Sequence, residues 1–205
     1  MRHLAFRQAR GLHGAEGDVF DPISDHILIR DGQRTLATFR TRLITRDTTS
    51  YTAQFYDLSR LPGTPMLELG RFCLHPDAPD PDTLRLAFAA LTRLVDGQGA
   101  RHLIGCTSFP GLDLAAHAAA LGAVRERFSP LTPALAPETR ALSTLTAQGP
   151  QQPLPALLRH YLRLGGSLSD QAVVDRTLQT CHVLTLLCVA DIPPARARIL
   201  RQMAE

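Results

Sequence analysis

A chain of 205 residues, 44% of them hydrophobic, is long enough to bury one substantial core, and its length predicts a single domain over residues 1–205. The formal net charge of +3 is mild and no dense basic block interrupts the sequence, so no nucleic-acid partner is implied. All 22 residues counted as Lys or Arg are arginine, which excludes Schiff-base chemistry and a P-loop lysine but leaves planar, two-pronged grips for carboxylate or phosphate.

Residues 1 to about 11 suit a short helix, and Gly11 to Asp25 reads as a loop able to carry binding groups. His26 to Arg30, the turn dipeptide Asp31-Gly32 and Thr35 to Arg40 predict an antiparallel hairpin. Tyr51 to Leu58 reads as a shorter strand. Met66 to Leu74 reads as a central strand, with Gly70 marking a bulge or a close backbone approach. Asp80-Pro81-Asp82-Thr83 opens a helix, Leu84, Phe88, Leu91 and Val95 recur along it, and Gly97 and Gly99 stop it.

Arg101 to Phe109 predicts another strand, and Leu112 to Leu121 an alanine-rich helix. Strand, helix, strand in that order implies parallel strands 66–74 and 101–109 joined by a crossover helix, hence an α/β fold with a mixed central sheet. Residues 128–155, rich in Pro, Ala, Thr and Gln, read as an irregular excursion. A short amphipathic helix over Leu154 to Leu164, a buried strand over Thr180 to Ala190 and a basic carboxy-terminal helix complete the chain.

Cys73, Cys106, Cys181 and Cys188 lie singly in apolar stretches, without a C-x-x-C pair or a zinc-like His spacing; they read as buried thiols, and no metal site is expected. The first residues lack the apolar core of a signal peptide. The longest uncharged apolar stretch, Thr177 to Ala190, is too short to span a bilayer. The expectation is a cytoplasmic protein able to touch a membrane surface.

Motifs for a nucleophile elbow, a zincin, a P-loop and a dinucleotide fold are all missing. What stands out is charge planted at the ends and faces of apolar strands: Asp18, Asp21, Asp25, Arg40, Glu68 and Arg71. Such placement costs desolvation. Glu68 and Arg71, three apart, point to opposite faces of a regular pleat, whereas a bulge at Gly70 turns both to one face. A structural reading also accounts for these residues, with turn-capping aspartates and salt-bridged strand arginines.

Glu68-Leu69-Gly70-Arg71, followed by Phe72-Cys73-Leu74-His75-Pro76, resembles the E-L-G-R strand of the ornithine–acyl carrier protein N-acyltransferases, the lyso-ornithine lipid synthases also called hemolysin-like. Phe20-Asp21-x-x-x-Asp25-His26 is similar to that family's F-D-x-x-x-D-H segment. Ala37-Thr-Phe-Arg40 resembles its G-T-Y-R strand, and Tyr51-Thr-Ala-Gln with Asp57-Leu58 its Y-S-A-x-x-F-D-L segment. Gly105-Cys-Thr-Ser-Phe109 and Leu157 to Gly165 match further downstream. A more distant resemblance joins Arg2, Phe6, Asp18, Asp21, Arg40, Glu68 and Arg71 to the acyl-homoserine-lactone synthases; the chain departs from them in having no tryptophan. From the ornithine enzymes it departs in carrying Phe55-Tyr56 where they have Glu-Phe.

The resemblance implies a GNAT fold and transfer of a long-chain, 3-hydroxylated acyl group from acyl carrier protein to the α-amine of ornithine, the first step of ornithine lipid synthesis. No permanent cofactor is implied, only the acyl-pantetheine arm of the donor, entering between strands 66–74 and 101–109 beside Phe72, Cys73, Thr107 and Ser108. Glu68 is the expected base, aided by Arg71 and by backbone N–H groups near Arg71 to Cys73. Asp18, Asp21, Asp25, Arg40, Arg2 and Phe6 are the expected acceptor-site residues. Asp77 to Thr83 lacks the glycine-rich pyrophosphate loop of CoA-dependent relatives, and its acids repel a free pyrophosphate, which favours the carrier protein as donor. Three alternatives stay open: a lactone-synthase-like enzyme, an acyl-CoA-dependent GNAT with another amine acceptor, and an inactive adaptor that binds acyl carrier protein or lipid.

Overall fold

The computed structural model describes residues 1–8, 11–45, 48–61, 63–77, 81–112, 141–142 and 154–205. In chain order its elements are α1 (Arg2–Phe6), β1 (Asp25–Asp31), β2 (Arg34–Ile44), β3 (Met66–Leu74), α2 (Pro81–Gln98), β4 (His102–Pro110), β5 (Ala141–Leu142), α3 (Ala156–Arg163), β6 (Ser167–Asp175), β7 (Thr180–Cys188) and α4 (Pro194–Ala204). The chain forms two compact units, one of Met1–Ser50, Thr64–Arg101 and Pro193–Glu205, the other of Tyr51–Gly63 and His102–Ile192.

In the first unit the expected hairpin is present: β1 and β2 pair antiparallel, and Gly32 takes a positive φ of 54° in the turn between Asp31 and Arg34. β3 pairs antiparallel with the other edge of β2. One face of these strands buries Phe39, Leu67 and Leu69, none of them more than 6% exposed. Each such side chain contributes roughly 1.5–3 kcal/mol of burial. α2 packs against all three strands and buries Phe88, Leu91 and Val95, the helical stripe expected from their spacing. It ends at Gln98, beside Gly99 with its φ of 62°. α4 packs on α2, where Arg201 Nε donates to Asp96 Oδ2 at 2.9 Å, and it leaves Ile199 and Met203 exposed.

The second unit is an antiparallel sheet in the order β4-β7-β6-β5. Its core gathers Phe109, Leu158, Leu162, Leu168, Ala172, Cys181 and Val183. Two expectations are corrected here. Tyr51 to Leu58 is not a strand but two single 3-10 turns, Thr52–Gln54 and Leu58–Arg60. Asp57 closes the second by accepting from Ser59 N and Oγ, so short polar side chains offer the backbone a local alternative to sheet pairing. β6 was not expected from its polar sequence. Its fully buried Ser169 donates to Gln171 O and accepts from Leu184 N at a break in the β6–β7 register, which lets a polar residue occupy the sheet interior.

Beside these strands lies a buried polar pair. Tyr56 Oη donates to His182 O at 3.2 Å and sits 3.3 Å from His182 Nδ1. His182 Nε2 is buried without a partner among the described residues. Burial pushes this imidazole down to about 4, with Asp175 opposing weakly. All but the first residue of the expected helix over Leu112 to Leu121, and most of the 128–155 excursion, lie outside the described residues.

Candidate active site

On the face of the first unit opposite Phe39, successive alternate residues of β2 place Arg40 and Arg42 side by side. Their partners on β3 are Gly70 and Glu68. The register slips between Thr38 and Arg40, so one residue of β2 spans two of β3. The irregularity centres on Arg71, whose φ of 52° is left-handed, one residue beyond the glycine that hinted at it. A bulky residue there is strained by about 1 kcal/mol, and the turn swings Arg71 towards Asp18, a carboxylate that Arg40 also meets.

Three arginines and three carboxylates close a ring of alternating charge. Arg2 Nη1 and Nη2 fork onto Asp21 at 2.8 and 2.9 Å. Asp21 Oδ1 also accepts from Arg40 Nη1 at 2.6 Å. Arg40 forks onto Asp18 at 2.5 and 2.8 Å. Asp18 Oδ2 accepts from Arg71 Nη2 at 2.7 Å, and Arg71 Nε donates to Glu16 Oε1 at 2.7 Å. Glu16 Oε2 returns to Arg2 Nε and closes the circle.

Local geometry explains why loop 11–25 presents its acids here. Phe20 N donates to Asp18 Oδ1 and Asp18 N to Asp21 Oδ2, so each aspartate caps the turn that carries it. Arg7 Nε donates to His13 O, and His3 Nδ1 lies 2.9 Å from Gly14 O, pinning the loop's first half to the end of α1. Phe6 and Phe20 offer ring faces 6.0 and 5.9 Å from the guanidinium carbons of Arg71 and Arg40. Burial alone pushes the Asp21 carboxyl up, but Arg2, Arg40 and the Asp18 amide outweigh it and hold the group well below the usual carboxylate range. Asp18 is lowered likewise, against burial, by Arg40 and Arg71. Burial also works against the Arg2 cation, and Asp21 and Glu16 more than restore it.

Arg2, Phe6, Asp18, Asp21, Arg40 and Arg71 are thus brought together, and Glu68 is buried two residues from Gly70 on the same face. Asp25 stands apart at the start of β1, exposed, with Gln98 Nε2 at 3.4 Å. Phe72 and Cys73 follow on β3: Phe72 stacks on Phe39 with centroids 5.7 Å apart, and burial pushes the Cys73 thiol up to about 11. Thr107, buried, and Ser108 lie on β4 of the second unit. Sequence reasoning missed Glu16, whose side chain is only 2% exposed, and Arg42. For Glu16 the sequence carried no comparable signal, because Asp25 and Glu68 already balanced the singled-out arginines on paper.

Residues 1–89, which contain the whole ring, match the family model of the acetyltransferase (GNAT) domain. The L-ornithine N(alpha)-acyltransferase of Rhodobacter capsulatus is 32% identical over 195 residues, covering 84% of this chain and 74% of its own. That of Rhizobium meliloti is 30% identical over 200 residues, covering 85% and 67%. The chain belongs to the L-ornithine N(alpha)-acyltransferase family. It is therefore an acyltransferase with a GNAT-like fold, in which strand β3, helix α2 and strand β4 follow one another as expected. The ring-bearing segments of this chain, α1, the 11–25 loop, β2 and β3, all fall within the matched residues 1–89. Among solved structures, two CoA-dependent acyl-homoserine lactone synthases are similar: MesI (TM-score 0.47, 12% identity, 91% of this chain and 72% of that one) and BjaI (TM-score 0.44, 14% identity, 98% and 72%). No helix among the described residues is long and apolar enough to cross a membrane.

Proposed function

We propose that this chain moves a long-chain acyl group from the thioester of acyl carrier protein to the α-amine of ornithine. The observation that carries the reading is Glu68, a carboxylate only 5% exposed on a bulged strand, in a chain similar over most of its length to ornithine acyltransferases. Aminolysis of a thioester needs a neutral amine, a proton acceptor and donors aimed at the oxyanion. Glu68 takes the proton from the ammonium directly or through water. The backbone N–H groups at the irregularity of Arg71 to Cys73 are the donors against which the thioester carbonyl is polarised in this reading. The collapsing intermediate expels the pantetheine thiolate, which is protonated as the amide forms.

The charged ring fixes the bulge and the 11–25 loop around Glu68, so its members act through position. A carrier protein rather than CoA is the donor, because the first turn of α2 carries Asp82 where a pyrophosphate needs unopposed N–H groups. Asp82 is exposed and accepts from Arg85 Nη1 at 2.9 Å. The lipid-like product leaves at a membrane surface that α4 touches with Arg196, Arg198 and the exposed Ile199; Arg201 is turned instead to Asp96.

The test is to incubate the purified chain with long-chain acyl carrier protein and ornithine while following thiol release and product mass. Ornithine-dependent release with an N-acyl-ornithine mass is expected, and Glu68→Gln should lower kcat by roughly 100-fold or more. Release only with S-adenosylmethionine, or only from acyl-CoA, would replace this reading with one of its rivals.

A further inference from the structure

Four arginines serve the region of the ring, but only three of them are ion-paired to carboxylates among the described residues. Arg2, Arg40 and Arg71 are engaged by Glu16, Asp18 and Asp21. Arg42 makes no ion pair among the described residues: its Nη1 donates at 2.6 Å to the main-chain carbonyl of Ile23, and its Nε is buried without a partner. It lies on the same face as Arg40 and directly across the register from Glu68. Side chains of such cross-strand partners point to the same side, with β-carbons about 5 Å apart.

A guanidinium tethered at one corner, with its Nε buried and with no counter-ion among the described residues, is organised to receive a planar anion. In an α-amino acid the carboxylate and the α-amine are joined through one carbon. If the guanidinium holds the carboxylate, the amine falls on the neighbouring carboxylate of β3. We propose that Arg42 binds the α-carboxylate of the amino-acid acceptor and so delivers the α-amine to Glu68. The inference deepens the function proposed above and rests on it. It assigns the choice of acceptor to this residue: an amine with a free α-carboxylate is accepted, whereas a diamine or an amino-acid amide of the same length is not. Arg40 and Arg71, already bonded to protein carboxylates, keep the face rigid while Arg42 meets the substrate.

The experiment compares ornithine, ornithinamide and putrescine as acceptors for the wild-type chain, Arg42→Gln and Arg42→Lys, each with the same acyl carrier protein donor. For the wild type, kcat/KM for ornithine should exceed that for ornithinamide by roughly 100-fold. Arg42→Gln should bring that ratio to within a few-fold of one, chiefly through a raised KM for ornithine, and Arg42→Lys should restore part of it. The ratio is measured within each preparation, so a partly folded variant still reports it. Ornithine turnover with the ratio unchanged in Arg42→Gln overturns the role of Arg42 alone. No ornithine turnover by the wild type overturns both readings together.

Discussion

Gly70 faces Arg40 across β2 and β3, and its missing side chain leaves the space in which Arg40 lies: a β-carbon there would stand 3.4 Å from Arg40 Nε and 3.7 Å from Cγ. A glycine inside a strand weakens it. Here the gain is a guanidinium only 3% exposed, seated on two aspartates. Gly70→Ala adds a methyl that meets Arg40 only at ordinary van der Waals distance and should cost less than about 1 kcal/mol. Gly70→Val adds branches that displace Arg40 from Asp18, and should cost about 1–3 kcal/mol. Denaturant midpoints of the two variants measure the difference, and equal midpoints would remove Gly70 from the account.

Arg71 combines a left-handed backbone with a committed side chain. Arg71→Gly relieves the backbone and loses the ion pairs, whereas Arg71→Ala loses the pairs and keeps the strain. The glycine variant should therefore be more stable than the alanine variant by about 1 kcal/mol, the reverse of the usual order for these residues in a strand. Both should lose acyl transfer. Thermal melts with activity assays on the same samples check both parts, and an alanine variant at least as stable as the glycine one refutes the strain.

His182 is fully buried, and its imidazole is pushed down to about 4 from an ordinary 6.5. The unfolded chain takes up the proton first as pH falls, so stability is full above about 6.5 and declines towards 4, by roughly 3 kcal/mol in all. Asp18 and Asp21 act in a separate window: their lowered carboxyls contribute stability above the usual carboxylate range and lose it only in stronger acid. Urea midpoints at pH 7.5 and 5 should differ for the parent and converge for His182→Leu. A parent midpoint flat between those values would contradict the buried neutral form.

Periodicity carried the fold where burial was simple. The stripe of Phe88, Leu91 and Val95 set α2, and Asp31-Gly32 set the hairpin. It failed at β6, where Ser169 satisfies its own hydroxyl inside the sheet, and at Tyr51 to Leu58, where Asp57 and Ser59 bond locally and forestall a strand. In the site, strand residues were legible because a charge on an apolar strand is conspicuous, as with Arg40, Glu68 and Arg71. Glu16 was not, since a loop has no period against which an acid stands out. Arg42 was hidden for another reason: only the register shows which strand arginine faces Glu68.

The alternating ring joins residue 2 to residue 71 by way of the 11–25 loop and β2, in a chain whose four cysteines are all free. It therefore works as a clasp, restraining the amino-terminal helix as a disulfide would, through a cycle in which each member is held from both sides. Unlike a disulfide, such a clasp is indifferent to reductants. What loosens it is acid strong enough to discharge its carboxylates, so the amino-terminal helix should be released from the sheet by proton uptake and never by thiols.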